Sequence, residues 1–326
     1  MYIILSIILL FILAIVYELG HFISAKLNKI KVEELVIGMG PKIVSIPIKE
    51  TTYSLRIVPI GGYIKMQGEA ENAELESSFL NLSTIRKISI VISGILITLV
   101  LLMIVNISVI HINGYSKTTI NNNSKVQDSN NTLMQGDEIL KVNNTEVNYG
   151  EDIIYKIALS NKKEVDLLIG RAGEQKHISI DNLQEKTALR TFKSDLEKVD
   201  NPSVMESIKI GFNKTLNLTG DTYGQFGRML TKDINLRDYI SGLFKTAEIS
   251  SETGNIGINS AVNLLIYIGI IFISFNSLPI PLFDGGKFWI ELFQGITRKE
   301  ISRKVLMLME IISFIAILII IIFILI

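Results

Sequence analysis

The sequence predicts an α-helical polytopic membrane protein of four transmembrane helices, with a membrane-associated β-hairpin between the first two and an α/β domain inserted between the second and third. Three observations predict it. Hydrophobic residues make up 48% of the 326, and they gather in unbroken runs near the roughly 20 residues that a helix needs to cross a hydrocarbon core. Lys and Arg cluster beside one end of each run. The connecting stretches change period, alternating in one and mixing strand and helix patterns in another.

The first run spans about Tyr2 to Leu27. A cleaved signal peptide is the competing reading, but Met1, Tyr2 and Ile3 form no basic n-region and no small-residue cleavage site follows, so a retained helix is expected. The second run is Ile88 to about Ile112, the third about Ala261 to Phe275, and the fourth Val305 to Ile326. The third is short and ends at Asn276 before two prolines. A helix that stops at membrane depth needs protein or a water-filled cavity to satisfy its freed backbone groups. Lys26, Lys29 and Lys31 follow the first run, Arg86 and Lys87 precede the second, and Lys287, Arg298, Lys299, Arg303 and Lys304 lie between the third and fourth. The positive-inside rule then puts these short connections in the cytoplasm, and both termini and the long 113–258 segment on the extracytoplasmic side of the cell membrane.

Residues 34–66 alternate and are punctuated by Gly38, Gly40, Pro41, Gly61 and Gly62. Ile43–Ile48 and Thr52–Val58 read as a hairpin turning near Lys49–Glu50. It is either a plain cytoplasmic hairpin or a sheet edge beside a membrane-embedded site, able to pair with an extended peptide. Residues 113–182 mix short strands with one helix at Asp152–Leu159. Within them "LMQGDEILKVNNTEV" (Leu133–Val147) has the PDZ pattern of a leucine, a Gly-Asp pair, a strand and a turn at Asn143–Asn144. In 203–230, Val204, Ile208, Phe212 and Leu216 recur at helical spacing, as in a soluble helix packed on the small domain or a helix on the membrane surface; the surface helix is preferred. The division expected is 1–112, first two spans with the hairpin; 113–182, the PDZ-like domain; 183–258, linker and amphipathic helix; and 259–326, last two spans.

Composition removes some chemistry. The 32 basic residues balance 32 acidic ones, which leaves no basic excess for nucleic acid. With no cysteine and only His21, His111 and His177 as histidines, any metal site must be built from His, Asp and Glu.

One such set is visible. In a zinc-protease helix two histidines four residues apart ligate the metal, and the Glu after the first is the general base. "YELGH" (Tyr17–His21) has this register, with Glu18 and His21 in place and Tyr17 where the first histidine belongs. "NSLPIPLFDGG" (Asn276–Gly286) supplies Asp284 just after a proline-broken helix, and carboxylate is a good zinc ligand. Taken singly, Glu18 with His21 reads as a polar pair in a bundle interior and Asp284–Gly285–Gly286 as a plain turn. Ionisable groups at membrane depth are costly, so their joint presence favours one site.

With "YELGHFISAK", "IGMGPKI", "IVPIGGYIKMQGE", "QGDEILKVNN" and "NSLPIPLFDGGKFW" in this order, the chain resembles the site-2 protease family of intramembrane zinc metalloproteases over its whole length, in the bacterial regulator-of-sigma branch with a single PDZ domain. The resemblance implies Zn2+ held by His21 and Asp284, Glu18 as general base, and Asn276 holding substrate backbone near the metal. Pro279 and Pro281 would shape the loop that brings Asp284 in. The hairpin, with Gly61 and Gly62, would clamp an unwound substrate helix as a strand, and the PDZ domain would filter or dock substrates outside. The implied partners are the lipid bilayer and single-span membrane proteins, such as anti-sigma factors or signal-peptide remnants. Departures are Tyr17 at a ligand position, Ser93–Gly94–Ile95 with Thr98 for the family's Ala-Gly-Pro motif and its Asn, Ser241–Gly242–Leu243 for Ser-Gly-Pro, and Phe283 for Leu. They leave two functions open: an endopeptidase with Tyr17 or water in the third ligand position, or a pseudoprotease that binds membrane helices as a regulatory scaffold.

Overall fold

A computed structural model describes residues 2–68, 78–121, 127–128, 131–160, 163–231, 233–249 and 258–325. Glu69, in one of the quoted motifs, and Ile326, the last residue of the expected fourth span, lie outside them. The chain divides into two compact units, one of 1–103 with 268–324 and one of 104–267. Among the described residues three helices are long and apolar enough to cross a membrane: 4–27, 84–113 and 258–276. The third begins at Ile258, earlier than its apolar run alone indicates.

In the first unit, α1 (Tyr2–Leu27) closes through Lys29 in the left-handed region, φ 61°. The Ile30 amide returns to the Ala25 carbonyl at 2.9 Å, which satisfies one of the last helical acceptors. The chain then enters β1 (Val32–Ile48) and β2 (Thr51–Met66), antiparallel about a turn with Lys49 at φ 54°. The expected hairpin is there, with longer strands. Val36 pairs with Tyr63 on one side and Ser54 on the other, so residues 34–37 are the inner strand of a ribbon folded back on itself. That fold-back needs sharp bends, and Gly38 and Gly61 make them at φ 85° and 69°, conformations a side chain rarely allows. Val32, Leu35, Ile64 and Met66 pack with Ala25, Ile30, Phe79 and Ile90. The far half of the ribbon instead exposes Ile43, Val44, Ile46, Ile48 and Ile57. An apolar patch of that extent is a liability in water and suits lipid.

After α2 (Thr84–Asn113) the second unit holds β3 (Tyr115–Ile120), β4 (Gln127–Asp128), β5 (Asn131–Thr132), β6 (Glu138–Val142), β7 (Thr145–Glu146), α3 (Gly150–Ala158), β8 (Glu164–Arg171), β9 (Glu174–Asp181), α4 (Lys186–Asp195) and β10 (Leu196–Val199). The main sheet runs β10-β3-β6-β8-β9, with β7 on β6. The turn expected at Asn143–Asn144 is present, both residues left-handed at φ 46° and 69°, as asparagine tolerates. Asn143 Oδ1 secures it by accepting from the Asp166 amide at 3.1 Å. The sheet buries Ile139, Val142, Leu167 and Ile169 against α3's Ile153 and Ile157, and α4 adds Leu189 and Phe192. The sheet therefore reaches residue 199 and its core reaches Ile249, both in the stretch 183–258 that the sequence assigns to linker and amphipathic helix.

α5 (Val204–Leu230) starts at an N-cap, Ser203, whose side chain accepts from the Glu206 amide, and α6 (Leu236–Ile249) follows. The periodic set Val204, Ile208, Phe212 and Leu216 faces outward, each more than 40% exposed. The inward face mixes small and polar residues (Ser207, Gly211, Thr215, Thr222) with Ile210, Leu218 and Met229. A Cβ on Gly211 would lie 2.6 Å from Ile107 Cγ1, and the buried Asn106 donates to Thr215 Oγ1 at 3.0 Å. Ser207, Gly211 and Thr215, buried at four-residue spacing, allow this close approach.

The last helices are α7 (Ile258–Asn276), α8 (Asp284–Thr297) and α9 (Arg303–Leu325). Of these, α8 packs on α2: Lys87 Nζ is 3.7 Å from Glu291 Oε2, and Gly295 lies against Thr84. α9 covers the expected fourth span and is apolar on nearly every face.

Candidate metal centre

Tyr17, Glu18 and His21 lie on the C-terminal half of α1, and the four-residue spacing of Tyr17 and His21 places them on one helix face. Their rings meet edge-on with centroids 4.9 Å apart, and Phe272 of α7 packs edge-on against Tyr17 at 5.1 Å. Asp284 arrives differently. α7 stops at Asn276, the prolines 279 and 281 have no amide to continue a helix, and the chain turns back through Phe283 into α8. Gly286 and Gly285 let the first turn of α8 lie against that loop. A Cβ on Gly286 would overlap the Ile280 carbonyl, and one on Gly285 would come within 2.6 Å of the Leu278 carbonyl oxygen.

The loop delivers Asp284 to α1. His21 Nε2 is 2.9 Å from Asp284 Oδ2, and the Tyr17 hydroxyl donates to that same oxygen. Lys287 Nζ stands 3.5 Å from the other oxygen, Oδ1. Tyr17, Glu18 and Asp284 are all buried. On its far side His21 Nδ1 is 2.8 Å from the Ile90 carbonyl of α2. A carbonyl only accepts, so Nδ1 carries a proton. A proton or a cation must then lie between Nε2 and Oδ2, because two lone pairs at that separation repel.

Glycines set the spacing of these groups. Gly62 of β2 faces Glu18, where a Cβ would come 2.9 Å from Glu18 Cγ; Gly20 faces the Ser93 carbonyl at 2.7 Å; and Gly94 leaves room for the His21 ring. Thus Ser93–Gly94, a departure from the family pattern, still shapes the histidine's seat, and the Ser93 hydroxyl donates to the Ile90 carbonyl at 2.6 Å. Asn276 is not drawn into this group: its Nδ2 donates to the Phe272 carbonyl at 2.9 Å, within its own helix. Gly61 serves the ribbon's bend, 3.0 Å from Met39 Cε by its Cβ position. His111 and His177 lie in the second unit. His111 Nδ1 is 3.4 Å from Ser207 Oγ, and His177 Nδ1 is 3.3 Å from Asp166 Oδ1.

Among the described residues no group of three or more His, Cys, Asp or Glu side chains is placed to hold a metal ion. The converging set contains two ordinary donor groups, the His21 nitrogen and the Asp284 carboxylate, and the Tyr17 phenol oxygen as a third. The bond from Nδ1 to Ile90 fixes the tautomer that leaves Nε2 free for a cation, an orientation metal-binding histidines commonly show. On donor chemistry the set fits zinc with two usual ligands and one unusual one. The Ile90 carbonyl, invisible to a side-chain motif, is the orienting partner that sequence reasoning missed.

The profile described as Peptidase family M50 matches residues 5–321. Similar proteins include one of Clostridium perfringens named a candidate zinc metalloprotease, 33% identical over 93% of this chain and 91% of its own length. A similarly named protein of Clostridium acetobutylicum is 34% identical over 89% and 86%. A candidate protease of Enterococcus faecalis, Eep, is 23% identical over 90% of each chain.

Proposed function

The chain belongs to peptidase family M50, the site-2 protease family, and from that we propose that it is an intramembrane zinc endopeptidase acting on transmembrane segments of single-span proteins. The observation that carries this reading is the meeting of His21 with Asp284 beside Glu18, on helices far apart in sequence. His21 Nε2 and Asp284 would hold zinc, with Tyr17 or water in the third protein position. When bound, zinc lowers the pKa of its water and polarises the scissile carbonyl. Glu18, one residue from Tyr17 and packed against Gly62, would take the water's proton and pass it to the leaving amide nitrogen. Residues 62–66 pair with 32–37 on one side; their other edge suits a substrate strand, because a helix must unwind before its amides can be attacked. Asn276 would steady the substrate backbone after leaving its bond to Phe272.

The same reading takes α9 as a fourth span, puts both termini and the second unit on the extracytoplasmic side, and treats the main sheet with α3 as a PDZ-like domain. The Gly-Asp turn at Gly136–Asp137, the strand β6 and the asparagine turn support that last assignment.

A second reading is favoured by one contact. The Tyr17 proton is spent on the Asp284 oxygen that would face the metal, as suits a pseudoprotease that holds membrane helices without cutting them. Zinc per chain in detergent-purified protein, wild type beside Tyr17→His, separates the two. Stoichiometric zinc in both supports the enzyme, zinc only in the histidine variant supports the scaffold, and zinc in neither removes the site.

A further inference from the structure

We propose that β10 is an intramolecular ligand: residues 196–199 fill the outer edge of β3 beside α3, an edge that otherwise takes an extended peptide with an aliphatic anchor. This rests on the sheet order of the second unit and is independent of the cation site.

The sheet ends at β10. With β10 removed, β3 becomes the edge strand and presents a row of unpaired backbone groups, the usual template for a further strand. β10 meets that demand with few residues. Leu196 pairs with Ile120, Lys198 with Ser116 and Val199 with Tyr115, the register shifting between the first two pairs. It runs antiparallel to β3 and brings Val199 against Gly114, where a Cβ would overlap the Val199 carbonyl. Three residues beyond lies Pro202, which has no amide to prolong a ladder.

Its hold is that of a docked peptide. Leu196 alone is fully buried, at 4% exposure, and joins the domain core. The polar side chains pair outside the core, Glu197 with Lys117 at 2.6 Å and Lys198 with Asp200 at 2.9 Å. α3 forms the facing wall of the slot: a Cβ on Gly150 would lie 2.9 Å from Leu196 Cδ1 and 2.5 Å from Ser116 Cβ. Glu151 Oε1 accepts from the Ser116 amide at 3.0 Å, which ties the wall to β3. Beside them is a cavity of about 630 Å³ lined by Ser116, Gly150, Ile154, Leu196 and Lys198 among others, with space for side chains that β10 itself lacks. Backbone pairing for affinity and alternate side-chain pockets for specificity are the two parts of recognition by strand addition. Tethering supplies β10 at an effective concentration in the millimolar range, so a free peptide binds when β10 is pulled or weakened.

The test uses the full chain in detergent and a fluorescein-labelled peptide carrying residues 194–200. Because the chain has no cysteine, Ser116→Cys with Lys198→Cys introduces a single pair that locks β10 when oxidised. Binding is read by anisotropy for oxidised and reduced forms of this variant and for Leu196→Gly. The expected result is no binding when oxidised, binding when reduced, and affinity for Leu196→Gly at least about tenfold above wild type. Equal binding by the oxidised and reduced forms overturns the proposal, as does a reduced form that binds no peptide at millimolar concentration. Should Leu196→Gly fail to fold, the oxidised and reduced forms of one protein still decide.

Discussion

Tyr17 donates its hydroxyl proton to Asp284 Oδ2, the same oxygen that faces His21 Nε2. One carboxylate oxygen thus collects both α1 side chains that the motif register places on one face, and the phenol takes part in the site as a hydrogen-bond donor as well as a candidate ligand.

Tyr17→His therefore exchanges a donor that competes for Asp284 for an imidazole that ligates. Zinc affinity is expected to rise by at least about tenfold, the scale on which changes next to a metal already act. Tyr17→Phe keeps the edge-on contacts to His21 and Phe272 and removes the oxygen. If the phenol ligates, its zinc content falls below wild type; if the phenol only pins Asp284, it rises. Metal analysis of the three purified chains reads the difference.

Glu18→Gln, made in the Tyr17→His background, should leave zinc bound and abolish cleavage of a single-span reporter, since the amide is nearly isosteric and cannot take a proton. A loss of at least about a hundredfold is expected for removal of a general base. Cleavage that survives both this change and a chelator would exclude Glu18 and the metal together.

Much of this site was legible in the sequence because its parts are local. Tyr17, Glu18 and His21 share a helix turn, and Asp284 follows a proline-broken helix end before two glycines, so their types and spacing suffice. What was not legible depends on tertiary placement: that Ile90 offers its carbonyl to His21, and that Asn276 turns back to its own helix. The hairpin's turn at Lys49 and the Asn143–Asn144 turn were foreseen from turn formers. The fold-back that sets Val36 between Tyr63 and Ser54 was not, since alternation fixes which face a residue points to but leaves open which strands become neighbours. β10 escaped notice for a related reason. "LEKV" has one apolar anchor and takes strand form by pairing with β3, a long-range contact that no four-residue pattern encodes.

Gly286→Ala tests the loop that carries Asp284. The added methyl would overlap the Ile280 carbonyl, so α8 must shift and take Asp284 from His21. The expected outcome, in the Tyr17→His background, is loss of bound zinc with helical circular dichroism unchanged. Gly227→Ala is the control, because a Cβ there meets nothing within 4 Å.

Asp137 and Arg171 tie the Gly-Asp turn to β8. Arg171 donates Nε to Oδ1 and Nη2 to Oδ2, both at 2.7 Å, and the Met134 amide donates to Oδ2 at 2.8 Å. Burial pushes the Asp137 carboxyl up, but the Arg171 bonds and the Met134 amide outweigh it and hold the group below its ordinary value. A lowered carboxylate pKa contributes stability above the unfolded value of about 3.9, and that stability is lost as pH falls through the folded value. Arg171→Ala leaves a buried carboxylate without its main partner and should cost about 2–4 kcal/mol near neutral pH, the lower figure reflecting the partly exposed arginine. The gap in melting temperature between wild type and variant should then narrow as pH is taken below about 4, where the unfolded chain takes up the proton, and close once pH has fallen below the lowered folded value, where both carry a protonated Asp137. A gap that stays constant with pH would show that Arg171 acts through packing.

The α2–α5 contact makes a prediction of the opposite kind, because its small residues act by absence of bulk. Gly211 sits over Ile107 with no room for a side chain, and Asn106 Nδ2 reaches Thr215 Oγ1 in a fully buried setting. Gly211→Leu should separate the helices and lower the melting temperature of the detergent-solubilised chain, overpacking typically costing about 1–3 kcal/mol. Phe212→Leu, one residue along on the exposed face, should change it little in detergent, where that side chain meets apolar surroundings either way. Asn106→Leu leaves the Thr215 hydroxyl bonded, because that hydroxyl also donates to the Gly211 carbonyl at 2.8 Å; its cost should stay near the roughly 1 kcal/mol net value of an ordinary hydrogen bond. If Asn106→Leu proves as damaging as Gly211→Leu, the pair is held by its polar contact, and the small-residue face is incidental.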